Sequence, residues 1–218
     1  CLLKPYSDKK KTYGMLLQNQ KVYEEKLAKI KELGFQACTH AIGDSTNRTV
    51  LKSYAKILES SNDLRWRVEH VQCIHPDDIN FFNQYNIIPS VQPTHATSDY
   101  SWAELRLGKK RLKECYKYQT LLEQNFLIAL GTDFPVEKIN PIYTFYAAVF
   151  RKNNMGKPLS GFQKNLEMIT RSSEPQWVEL FRRLNTVSEG THRLVRLRER
   201  IRSLKKDNPD LAFFDISL

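Results

Sequence analysis

The chain has 218 residues, 41% hydrophobic and 27% charged, which is enough to bury a sizeable core and ordinary for a globular protein. No apolar run approaches the roughly 18 residues that cross a bilayer, and the opening CLLKPYSDKKKTYG, which lacks the regions of a secretion signal, reads as the interior of a longer polypeptide. The net charge of +10 invites nucleic acid, but lysines interleave with glutamates as in KVYEEKLAKIKE, the pattern of a solvated helix face, so neither nucleic acid nor membrane is an expected partner.

In chain order, NQKVYEEKLAKIKELG places Val22, Leu27, Ile30 and Leu33 at helical spacing, with Gly34 as the C-terminal stop. FQACTH follows as a buried strand and NRTVLKSYAKILES as a second amphipathic helix, with Asp44 as the expected N-cap. LRWRVEHVQ is a strand. HPDDINFFNQYN is a short helix entered at His75, with Pro76 in its first turn and Asp77 and Asp78 at the positive end of its dipole. IIPSVQPTH and NFLIALGTD are two further strands. Between them, 96–125 reads as a loop with helices at AELRLG and RLKECYKYQTLLEQ, and NPIYTFYAAVFRK is a helix opened by Pro141. Short apolar strands alternating with helices predict an α/β fold with a parallel sheet or barrel.

The usage of basic residues changes near EMITRSSEP. Residues 1–170 carry 18 lysines and 6 arginines, whereas residues 171–218 carry 2 lysines and 8 arginines. The later part holds two helical patterns and no strand, with Leu194, Leu197, Ile201 and Leu204 as one apolar stripe. We read two segments of different origin, an α/β unit over 1–170 and a short all-helical segment over 171–218. Cys1, Cys38, Cys73 and Cys115 are widely spread with no CxxC pair. That spacing predicts reduced thiols and a cytoplasmic location, with Cys38 a buried thiol.

Each predicted strand of the first unit ends in a group able to bind a metal or move a proton: His40 in THAIGD, His70 in RVEHVQ, His95 in VQPTH and Asp133 in LGTDFPVE. Parallel strands present their carboxyl ends on one face, so groups separated by 30, 25 and 38 residues would converge. Imidazole nitrogens with a carboxylate suit zinc or another divalent first-row metal. Taken singly, each has a structural reading: a hydrogen-bonded histidine, or an aspartate capping the turn before Pro135.

LLKPYSD, THAIGD, RVEHVQCIHPDDI, PSVQPTHATSDYSWAELRLG, ALGTDFPVEKINPIYTFYAAVFRK and SGFQ, in this order, resemble the amidohydrolase superfamily. The branch they resemble is that of metal-dependent hydrolases which includes N-substituted formamide deformylases. The resemblance implies the later half of a (β/α)8 barrel. It implies a divalent metal held by His40, His70 and Asp133, with Asp133 also taking a proton from the attacking water. His95 would contact the substrate or transition state, and Trp102 would lie in a substrate-facing loop. The implied reaction is hydrolysis of a carbon–nitrogen bond in a small amide-type molecule. The family's first-strand histidine pair and fourth-strand lysine have no counterpart here, which implies a fragment holding part of the metal site. An isolated set of later strands would leave sheet edges open, so association through them is expected. ELFRRLNTVSEGTHRLVRLRERI and NPDLAFFDISL resemble the N-terminal helical region of malonyl-CoA decarboxylases. That resemblance raises the rival reading of a helical interaction module on an inactive α/β scaffold.

Overall fold

The computed structural model describes residues 1–163 apart from Phe126, so the helical segment expected over 171–218 lies outside the described residues. Helix α1, Gln20–Glu32, begins at Asn19, whose side chain accepts a hydrogen bond from the Lys21 backbone nitrogen. It leads through Gly34, at φ +72°, into strand β1, Cys38–Ala41. Helix α2 covers Asp44–Leu58 and strand β2 Arg67–His70. A 3-10 turn over Pro76–Asp78 and helix α3, Asn80–Gln84, lead to strand β3, Ile88–Val91. Helices α4 (Pro93–Asp99), α5 (Ala103–Leu107), α6 (Lys109–Leu112) and α7 (Tyr118–Asn125) follow. Strand β4, Ala129–Leu130, and helix α8, Pro141–Phe150, complete the described elements.

The described strands form one parallel sheet in the order β1-β2-β3-β4. Parallel neighbours require crossovers, and the intervening helices supply them. Trp66, Tyr54, Leu27, Leu51, Val68, Phe82 and Ile87 form the core, all essentially inaccessible to solvent. Strand alternation decides what reaches this core and what does not. On β1 the Thr39 hydroxyl turns to the helices, 2.8 Å from both the Tyr23 and Tyr54 hydroxyls. Cys38 and His40 therefore share the opposite face of that strand.

Several sequence expectations need correction. The strand expected in FQACTH, β1, is mostly not buried: of Cys38–Ala41 only Ala41 is, because β1 is an edge of the described sheet, and the Cys38 thiol is exposed. On α1 the buried side chains are Tyr23 and Leu27, while Val22 and Leu33 face solvent. Gly43, not Asp44, holds the N-cap position of α2. A side chain at Gly43 would collide with the Cys1 carbonyl, so glycine is required there by close approach. The Asp44 carboxylate, in the first helical turn, accepts from the Leu3 backbone nitrogen at 2.8 Å and anchors the N-terminal segment.

Residues 96–125 are mostly helical, and the single helix expected from RLKECYKYQTLLEQ is broken at 113–117. The break has a covalent cause. Cys115 is joined to Cys73 by a disulfide, and Tyr116 next to it adopts φ +57°. The expectation of four reduced thiols thus fails for these two cysteines. No described helix is long and apolar enough to cross a membrane.

Candidate metal centre

Register brings the four polar groups to one end of the sheet. His40 and His70 lie at the carboxyl ends of β1 and β2, where Ala41 pairs with His70. Val91 pairs with Leu130, so His95 and Asp133 follow neighbouring strand ends by four and three residues. His95 is not on a strand, as VQPTH suggested. Pro93 opens α4, and His95 sits in its first turn. Proline fixes φ near the helical value and has no backbone N–H to satisfy, so it ends the strand by starting the helix.

The three imidazoles form a continuous row. The rings of His40 and His70 meet edge to face at 4.5 Å between centroids, and those of His70 and His95 stack at 5.6 Å. His95 Nε2 lies 3.5 Å from Asp133 Oδ2. One ligand atom from each of His70, His95 and Asp133 can be chosen so that all three lie within 4.8 Å of one another. His40 stands outside that trio, against His70, and is the most solvent-exposed of the three histidines.

Two nitrogens in this cluster are buried without a hydrogen-bond partner, His70 Nδ1 and His95 Nε2. A buried polar atom left without a hydrogen bond costs about 1–3 kcal/mol, so two such atoms in one cluster with a carboxylate call for an explanation. Burial lowers the His70 pKa below its ordinary value, Asp133 opposes the shift, and His95 adds to it. His40 is lowered too, by partial burial and then by its neighbour His70. Both rings therefore favour the neutral form, which is the form that ligates a metal.

The backbone around the site is unusual. His70 at φ +75°, Val71 at φ +43° and Asp133 at φ +55° all lie in the left-handed region. Aspartate tolerates it, but a β-branched valine does not enter it readily. Such residues cost about 1–3 kcal/mol each and persist only where surrounding structure enforces them. The chain beyond His70 is firmly held. Cys73 donates its N–H to the Ile42 carbonyl, and Asn47 Nδ2 donates to the carbonyls of Ala41 and Cys73.

Next to the cluster is a set that sequence reading missed. Asp99 Oδ2 accepts from Gln72 Nε2 at 2.7 Å and from the Tyr116 hydroxyl at 2.9 Å, and Gln72 Nε2 also donates to the Tyr116 oxygen at 2.8 Å. Burial raises the Asp99 pKa, against which Tyr116, His95 and Gln72 act. The available signal was spacing: once Pro93 is taken as a helix start, Asp99 falls one turn after His95 on the same face. A cavity of about 800 Å³ adjoins the cluster, with His40, Gln72, Trp102, Leu107 and Tyr116 among its walls. Trp102 is half exposed at this cavity.

The family described as the Amidohydrolase family matches residues 1–216, including the segment set apart by its arginines. The Arabidopsis thaliana protein LONG AFTER FAR-RED 3 is 36% identical over 149 residues, 67% of this chain and 26% of that protein. The putative amidohydrolase YtcJ of Bacillus subtilis (strain 168) is 31% identical over 153 residues, 70% of this chain and 29% of that protein. An uncharacterized metal-dependent hydrolase from Pyrococcus furiosus, known from its crystal structure, superposes with a TM-score of 0.62 at 28% identity, over 73% of this chain and 32% of its own. One from Pyrococcus horikoshii OT3 does so with a TM-score of 0.62 at 30% identity, over 72% of this chain and 32% of its own. The chain thus spans between about a quarter and a third of the length of these relatives. With a family match over nearly its whole length and a putative amidohydrolase among its relatives, the chain belongs to the amidohydrolase family.

Proposed function

We propose that the chain carries part of the active site of a metal-dependent hydrolase cleaving a carbon–nitrogen bond, other than a peptide bond, in a small amide-type molecule. We read its four parallel strands as consecutive strands of a (β/α)8 barrel. The partial overlap with longer metal-dependent hydrolases supports that reading. The observation that carries the functional reading is the clustering of His70, His95 and Asp133, with His95 Nε2 3.5 Å from Asp133 Oδ2 and two imidazole nitrogens buried without a hydrogen bond.

That donor set fits a divalent ion of the zinc type, two imidazoles and a carboxylate being ligands zinc favours. When bound, such an ion would activate water at neutral pH and polarise a carbonyl. His70, His95 and Asp133 would hold it. Asp133 has a second oxygen with which to accept the proton of the attacking water and return it to the departing nitrogen. In this arrangement His95 serves as ligand rather than as the substrate contact expected from sequence. His40, the exposed end of the imidazole row, faces the cavity together with Trp102. These two would contact the substrate, and the largely apolar walls around them would exclude water from it.

The test is metal content and hydrolysis together. Zinc-loaded, desalted protein should retain about one ion per chain, as the three-ligand set predicts. His70→Ala and Asp133→Ala should lose it, along with any turnover of simple N-substituted amides. Metal content in His95→Ala against His40→Ala separates the trio from the ligand set implied by the resemblance. If the wild-type chain holds no zinc, or if His70→Ala holds as much, the proposal falls.

A further inference from the structure

We propose that Asp99 is a positioning residue for this centre, clamping the helix that carries His95 to the loop that follows His70. The inference rests on the metal-binding reading of His70, His95 and Asp133. It adds a residue that touches none of the reacting groups.

The case begins with how His95 is carried. Its helix α4 is seven residues long, Pro93–Asp99. So short a helix has little stability of its own, and its direction is set by what holds its ends. The entrance is held by β3. The exit is held by Asp99, one helical turn after His95 on the same face. The two donors on Asp99 come from elsewhere in the chain. Gln72 lies two residues beyond His70, and Tyr116 lies beside Cys115.

The three side chains close a ring in which each hydrogen has one use. Gln72 Nε2 gives one hydrogen to Asp99 Oδ2 and one to the Tyr116 oxygen, and the Tyr116 hydroxyl gives its own to Asp99 Oδ2. Behind the ring the backbone is cross-linked twice. Tyr116 N–H donates to the Gln72 carbonyl at 2.6 Å, and the disulfide joins the adjacent Cys73 and Cys115. The loop against which Asp99 pulls is therefore stiff. At the same exit of α4, the Ser98 hydroxyl donates to Glu137 Oε1 at 2.6 Å, tying the helix to the loop that follows Asp133.

The arrangement sets the separation of His95 from His70 through an anchor a turn away from either nitrogen. A carboxylate accepting two hydrogen bonds is a stronger anchor than a neutral acceptor. Partners of this kind, outside the ligand shell, commonly change metal affinity by about 10–100-fold when removed.

The test titrates the full chain with Co²⁺ alone and reads both the dissociation constant and the visible absorption of the bound ion. Asp99→Ala should weaken Co²⁺ binding by about 10-fold or more and alter the absorption bands. Asp99→Asn, which keeps an acceptor oxygen, should recover part of the affinity. Tyr116→Phe keeps the aromatic side chain but removes its hydroxyl, and with it the bonds to Asp99 and from Gln72, and should show the same spectral change with a smaller loss. If Asp99→Ala does not fold, Tyr116→Phe decides alone. Variants whose thermal stability drops while Co²⁺ affinity and spectrum stay unchanged would make Asp99 a purely structural residue and overturn the inference. Wild-type protein that takes up no Co²⁺ would instead overturn the metal reading, and this inference with it.

Discussion

His70 is where backbone and side chain are both held under constraint. Its φ of +75° turns the chain away from the strand, and its ring lies between those of His40 and His95 with Nδ1 buried and unpartnered. Burial lowers its pKa in the folded protein below the unfolded value of 6.5. The unfolded chain then binds the proton more readily, so stability rises with pH across the interval between the two values. The contribution of His70 is full above pH 6.5 and is lost as pH falls toward the lowered folded pKa; His40 acts with the same sign. Thermal melts of metal-free protein from about pH 8 down to about pH 5 should show this loss. In His70→Asn, which keeps a polar group but cannot titrate, the melting temperature should fall less steeply over that range. An unchanged slope would mean that His70 is not the group responsible. Added zinc should steepen the wild-type dependence, since ligation also requires the neutral ring.

At the scale of elements, what was legible in the sequence followed local rules, and what was not depended on distant partners. Helices α1, α2 and α8 and the first three strands lie within a few residues of where periodicity puts them, although Gly43 rather than Asp44 caps α2. Pro141 opens α8 behind an Asn140 cap, as its position predicts. VQPTH is apolar enough to extend a strand, which puts His95 at a strand end, whereas Pro93 starts a helix that carries it. The Gln72–Asp99–Tyr116 ring is not legible, since its members are spread over a sequence separation of 44 and only the fold brings them together. Nor is the disulfide that breaks the predicted helix at 113–117.

Asn47 is a further case. It reads as an ordinary residue in the first turns of α2, yet it is fully buried and joins the ends of β1 and β2 through the Ala41 and Cys73 carbonyls. Asn47→Ala would leave buried carbonyls unpaired, at a cost of about 1–3 kcal/mol. Because those two strand ends carry His40 and His70, the variant should also bind metal more weakly. Chemical denaturation together with a zinc titration checks both effects. Normal stability and affinity would show that the cross-strand bonds carry little weight.

At the scale of the whole molecule, the open question is how the described sheet covers its edges. Among the described residues, β1 and β4 each pair on one side only. An unpaired strand is a template for another chain, and its strength grows with its length. β4 has two residues and β1 has four, so β1 is the better template. The apolar surroundings favour the same edge. The cavity beside β1 is walled by Leu2, Leu16 and Leu17, and Leu17 is 87% exposed. Val136, beyond β4, is 72% exposed but follows a strand too short to guide pairing. The protein is therefore expected to associate through β1, reversibly and with concentration, as sedimentation velocity would show. Leu17→Lys puts a charge into that apolar wall. Losing the burial of one leucine, about 1.5–3 kcal/mol, should weaken association by about tenfold or more. Val136→Lys adds the same charge at the other edge and should change it little. Equal effects of the two substitutions would refute the choice of edge, and a concentration-independent monomer would refute association altogether. Whatever covers β1 would meet His40 and Trp102 at the cavity they share, so association and access to the candidate centre would be coupled at one surface.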